Sequence, residues 1–134
     1  MLLACLLCSG SAVTVQRGPR TPPRTAAEYF AANNAAAREG PRAQREFLRR
    51  TQHPDFREGM CVPDTTTITL DPVLTTLRPS PEFRVNGLRP DGRVWVVAVE
   101  ATVRRSGEVV ARRIGSKHLV LRQGRFYGFA PCLS

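Results

Sequence analysis

A chain of 134 residues, 42% of them hydrophobic, can bury one modest core and is too short for two domains of ordinary size. Its 20 basic residues outweigh 11 acidic ones to leave a formal charge of +9, and with Lys117 as the only lysine nearly all of that charge is arginine. Such a balance draws a protein toward anionic lipid or polymer surfaces, but the arginines are scattered over helices, loops and hairpins and no aromatic-interleaved basic patch appears, which argues against a nucleic-acid reader.

In chain order, residues 1–12 (MLLACLLCSGSA) form a short apolar run with a small-residue ending, the pattern of a secretory leader and too short to span a bilayer. Leu2, Leu3, Ala4 and Cys5 also resemble a bacterial lipobox, which makes Cys5 a candidate for lipidation. Cys5 and Cys8 have the CxxC spacing of redox proteins, but in a segment expected to be removed. Residues 13–24, rich in Pro and Arg and without apolar periodicity, read as an extended tether. The expected address is therefore exported, either secreted or attached to the cell envelope, and residues 25–134 form the single domain.

Thr25 followed by Glu28 makes a capping box, so a helix is predicted from Ala26 through the alanine-rich stretch to Gly40 and Pro41. Pro41 suits the first turn of a second helix, in which Ala43, Phe47, Leu48 and Thr51 recur at helical spacing and which His53-Pro54 closes. Asn33 and Asn34 are mid-helix amides that either line a cavity or face water.

After Cys61 the vocabulary turns to Thr, Val, Ile and aromatic residues punctuated by Pro, Asn-Gly and Asp-Gly. Strands are predicted at 65–70, 73–77, 93–104, 109–121 and 125–130, the first two made irregular or edge-like by Pro72, Pro79 and Pro81. Ser106-Gly107 and Gln123-Gly124 suit two-residue hairpins, so the last three strands form an antiparallel meander. With uninterrupted pairing, Glu108 faces Arg105 and Glu100 faces Arg113. One sheet face then carries Trp95, Val97, Val99, His118, Val120, Tyr127 and Phe129; the other carries Val94, Val96, Leu119, Leu121 and Phe126. Apolar residues on both faces require a sheet covered on both sides or curved around a cavity. The fold class is α+β, with N-terminal helices packed on a curved antiparallel sheet.

Cys61 and Cys132 bracket the strands, and in an exported chain a disulfide between them is expected. Closing a loop of about 70 residues, it would contribute about 4 kcal/mol in the chain-entropy account. Metal binding is not supported, since the cysteines lack close pairing and only His53 and His118 are present, and no cofactor motif, nucleophile elbow or phosphate loop occurs. An acid–base mechanism would have to draw on His118, or on His53 with Asp55, yet Pro54 and Asp55 have ordinary roles in ending a helix.

Two helices followed by a long antiparallel sheet ending in a meander resembles the nuclear-transport-factor-2-like superfamily, the cone-shaped (also cystatin-like) α+β fold of polyketide cyclases and ketosteroid isomerase. The strings AAEYFAANNAAAREGPRAQREFLRRTQHPDF and YGFAPC are similar to small exported actinobacterial proteins. The resemblance implies a cavity between helices and sheet, here walled by Trp95, His118, Tyr127 and Phe129 with Tyr29 and Phe30 from the helix side. The isomerase pattern of paired acids and tyrosine is not found at matching positions. The expected function is a non-catalytic envelope domain binding a small apolar ligand or a protein partner. The alternatives are a cyclase- or isomerase-like enzyme using a cavity histidine, and an interaction module that forms a homodimer through the outer sheet face.

Overall fold

The computed structural model describes residues 22–58, 61 and 64–130. Helix α1 spans Ala26–Glu39 and α2 spans Pro41–Thr51, followed by a 3₁₀ turn at Pro54–Phe56. The Thr25 hydroxyl accepts from the Glu28 N–H at 3.1 Å as the spacing predicts, while the Glu28 carboxylate turns back to accept from the N–H of Arg24, one residue before the N-cap, at 2.9 Å. Gly40, at φ 135°, both ends α1 and begins α2: its N–H donates to Ala36 O and its carbonyl accepts from Gln44 N–H.

Strands β1 (Thr66–Pro79), β2 (Arg93–Arg105), β3 (Glu108–Arg122) and β4 (Arg125–Gly128) form one antiparallel sheet in sequence order. The two strands expected at 65–70 and 73–77 are one strand with a register shift between Val73 and Arg78; Pro72, which has no N–H to offer, sits on this edge strand. Both hairpins turn as predicted, with positive φ at Ser106, Gly107, Gln123 and Gly124.

The predicted register is corrected in one place. Arg105 faces Glu108 as expected, but Arg104 pairs with Val109 and Val103 with Ala111, which leaves Val110 as the extra residue of a β-bulge. Beyond it every β2 pairing is one residue out of the simple register: Glu100 faces Ile114, and Arg113 faces Ala101. Because side chains alternate, that single slip turns β2 over relative to β3 and β4. Trp95 lies opposite Leu119 and Val97 opposite Lys117, while His118 lies opposite Val96 on the other face. The β3–β4 pairing, Val120 with Tyr127 and Leu121 with Phe126, is as predicted.

The helices cover the face that carries Val97, Val99, Leu119 and Phe126, and Tyr29, Phe30, Phe47 and Leu48 fill the space between the layers. Tyr29 is packed so closely on β4 that a Cβ at Gly128 would overlap its hydroxyl. That hydroxyl is hydrogen-bonded to Thr51, whose own hydroxyl donates to Phe47 O at 2.8 Å. On the opposite face, Val94, Val96 and Val120 are buried as well. The 80–92 connection lies on that side, folded back by a small hairpin in which Val85 and Leu88 exchange N–H···O bonds.

The β4 edge and the Ile68–Leu70 end of the β1 edge are closed by side-chain amides and loops. On β1, Gln44 accepts from Ile68 N–H (2.8 Å) and donates to Ile68 O (2.6 Å), and Asn34 does the same for Leu70 (2.8 and 2.7 Å). Asn33 donates to Ile68 O and accepts from Gln44. The two helical asparagines thus neither line a cavity nor simply face water; with Gln44 they stand in for a fifth strand. Along the β4 edge, Phe126 N–H donates to Pro23 O, His53 N–H to Gly128 O, and Ala130 N–H to the Gln52 side chain.

Among the described residues no helix is long and apolar enough to cross a membrane. The leader, most of the tether, and Cys5, Cys8 and Cys132 lie outside them. Cys61 is disulfide-bonded; the pairing expected with Cys132 involves a residue outside those described.

Candidate functional site

The chain's two histidines, far apart in sequence, meet at one end of the sheet through a run of aromatic rings. Phe83 stacks on His118 with ring centroids 3.9 Å apart and planes at 13°. Phe129 lies 5.3 Å from Phe83 and stacks on His53 at 5.8 Å and 10°. Phe56 closes the group at 5.3 Å from His53, and Tyr127 meets the His53 ring edge-on at 6.3 Å. Four elements supply these rings: the end of α2 with its 3₁₀ turn, the 80–92 connection, β3, and the end of β4.

Within this group His53 is wholly buried, at 0% exposure. Its Nε2 lies 2.8 Å from Asp91 O, an acceptor only, so Nε2 carries the proton and donates. Its Nδ1 accepts from the Asp55 N–H at 3.1 Å and thereby caps the 3₁₀ turn. The Asp55 carboxylate is 3.9 Å from Nδ1 and largely exposed. Both nitrogens of a neutral ring are therefore used in tying the chain after α2 to the loop at Asp91, which leaves no lone pair free to take a proton from a substrate.

His118 differs on every count. It is only half-buried, and no hydrogen bond or carboxylate within 4.0 Å engages its ring among the described residues. Desolvation first, then the charges of Lys117 and Arg78, hold its pKa below the ordinary imidazole value, so the ring is neutral at neutral pH. Lys117, on the helix face, donates from Nζ to Phe129 O at 2.6 Å, and desolvation pushes its ammonium down to about 8.

The six residues expected to wall one pocket are distributed over three places. Tyr29 and Phe30, at 1% and 2% exposure, are core residues in edge-to-face contact. Trp95 lies on the helix face under the Arg93 guanidinium (4.9 Å from its ring), with its indole N–H buried and without a partner among the described residues. Only His118, Tyr127 and Phe129 share the aromatic end. Separation of Trp95 from His118 follows directly from the Val110 bulge. Phe83 and Lys117 were not anticipated. Phe83 is a lone aromatic in a turn-rich loop, and no local pattern says which strand such a residue will cover.

Two clefts flank this end. One, of ≈ 430 Å³, is lined by Pro79, Pro81, Arg89, Gly92, Arg93 and Val94. The other, of ≈ 550 Å³, lies where α2 meets β4 and is lined by Pro22, Glu46, Arg49, Arg50, Arg57 and Tyr127. Among the described residues no cluster of His, Cys, Asp or Glu could hold a metal ion. No family model, curated protein or solved structure matches this chain.

Proposed function

We propose that this chain is an exported, non-catalytic domain of the cone-like class, related in layout to the nuclear-transport-factor-2-like proteins, that binds a small apolar ligand or a protein partner at the aromatic end of its sheet. The observation that supports the reading most is the contrast between the two histidines. One is spent entirely on structure, and the other presents a neutral, half-buried ring whose one aromatic partner among the described residues is Phe83, a side chain on a connecting loop. A ring held by stacking alone can exchange one flat apolar partner for another at little cost, which suits recognition rather than proton transfer.

The test uses an uncharged apolar fluorophore such as Nile red. Phe83→Ala removes the competing ring and should tighten binding by about tenfold, the order of one aromatic pair, whereas His118→Ala should weaken it. Unchanged binding in both variants, each folded by circular dichroism, would remove this surface as the site.

A second reading has its own observation. Ile114, at 87% exposure, stands on the uncovered half of the same face, and Val73, also exposed, lies on that side of β1. Self-association through these side chains would be face to face. Sedimentation as a monomer at high protein concentration would exclude it.

A further inference from the structure

The cleft between α2 and β4 brings together three arginines that the fold does not neutralise. Arg49 and Arg50 lie in the last turn of α2 and Arg57 just beyond the 3₁₀ turn. A helix C-terminus accounts for a cation or two, but Arg57 is outside the helix, and none of the three has an acidic side chain within 4.0 Å among the described residues. No acidic side chain remains elsewhere to serve them, because residues 1–21, 59, 60, 62, 63 and 131–134 contain no Asp or Glu. Glu46, the one acid lining the cleft, is bonded to Arg42 at 3.5 Å. Arg50 lies over the Phe47 ring at 5.7 Å, a contact that leaves its hydrogen-bond donors available. Tyr127 adds an aromatic wall.

The cleft also marks where the chain enters the fold. Pro22 lines it, and Pro22 and Pro23 are fixed to β4 through bonds from Arg125 and Phe126 to their carbonyls, at 3.1 and 2.7 Å. The sequence just before Pro22 carries Arg17 and Arg20 and no acid. A chain held at a surface by its N-terminal segment would turn this cleft toward that surface.

We infer that the Arg49–Arg50–Arg57 cleft binds the phosphodiester group of anionic phospholipids and seats the domain against an anionic membrane. Planar guanidinium groups match phosphate oxygens in paired hydrogen bonds, and each cation at an anionic surface strengthens binding about fivefold. The inference takes from the proposed function only the exported, tethered placement; it is independent of the apolar ligand site. The measurement is made on the purified full chain, so it reads the cleft wherever the chain resides.

Co-sedimentation with vesicles of phosphatidylglycerol and phosphatidylcholine is compared with vesicles of phosphatidylcholine alone. Three proteins are used: the parent, the variant R49Q/R50Q/R57Q, and the charge-matched control R38Q/R105Q/R113Q, whose arginines are exposed elsewhere. The expected result is binding that requires phosphatidylglycerol, falls on the order of 100-fold in the cleft variant and changes little in the control. Equal losses in both variants would show diffuse charge attraction and overturn the site, as would failure of the parent to bind. In a second arm, sn-glycerol 3-phosphate at millimolar concentration should leave the vesicle-bound fraction unchanged; if it binds the cleft and releases the protein, the occupant is a soluble phosphate and the membrane assignment is wrong.

Discussion

Replacing Gly128 by alanine adds one methyl group at the most crowded contact between the helical layer and the sheet. The new Cβ would lie 2.9 Å from Tyr29 Cζ and 3.3 Å from Cε2 and would overlap the hydroxyl, so the ring must move. Tyr29 has little room, being 1% exposed and packed at 5.7 Å on Phe30 and 5.3 Å on Phe47. Overpacking of this kind costs about 1–3 kcal/mol, and loss of the hydroxyl's bond to Thr51 strands a buried donor at about 1–3 kcal/mol more. Taking about 3 kcal/mol in all and an unfolding entropy of about 2.1 cal/mol/K per residue over about 110 residues, Gly128→Ala should lower Tm by about 13 °C. Differential scanning calorimetry measures it. Adding Tyr29→Phe removes the overlapping oxygen and should restore part of the loss, a non-additivity readable as a double-mutant cycle. A single variant whose Tm stays within about 2 °C of the parent would refute the packing reasoning.

Three further outcomes follow from the same geometry. Asn34→Ala with Gln44→Ala deletes the four bonds to Ile68 and Leu70, and at about 1 kcal/mol each the domain should lose several kcal/mol and associate through the opened β1 edge; light scattering showing a monomer of unchanged Tm would contradict this. Lys117 has its pKa lowered from 10.5 to about 8, so the unfolded chain binds more protons between those values and stability should rise with pH across that window; Lys117→Met should abolish the rise, stabilise the domain at pH 7, and move the His118 pKa upward in an NMR titration. Tyr29 is shifted the other way, from 10.0 to about 12, so its contribution is whole below pH 10 and should be lost as pH climbs through about 12, a loss that Tyr29→Phe would remove from the alkaline denaturation profile.

Local chemistry made much of the fold legible. Thr25 and Glu28, Gly40-Pro41, and the two positive-φ dipeptides Ser106-Gly107 and Gln123-Gly124 act within a few residues of themselves, and each did what its composition demands. The bulge was not legible, because Val109, Val110 and Ala111 are all apolar and give no alternation by which to detect an extra residue. Its consequence was large, since one slipped residue placed Trp95 and His118 on opposite faces. Gln44, Asn34 and Gly128 likewise act through partners far along the chain, so nothing local marks an amide as an edge cap or a glycine as a seat for tyrosine. The candidate site was half visible: His53, His118, Tyr127 and Phe129 do converge, but Phe83, which joins the two histidines' ends of the cluster, arrives on a loop.

The central claim is that the His53–Asp55 pair, the one His–carboxylate neighbourhood among the described residues, holds the fold together and does no acid–base work. Long-range ¹⁵N–¹H correlation at neutral pH tests this at His53. The predicted spectrum shows one neutral tautomer, protonated at Nε2, with a slowly exchanging proton bonded to Asp91 O and with Nδ1 as acceptor. A proton on Nδ1 shared with Asp55, or averaging between tautomers, would contradict the account and return the His53–Asp55 pair to the list of catalytic candidates.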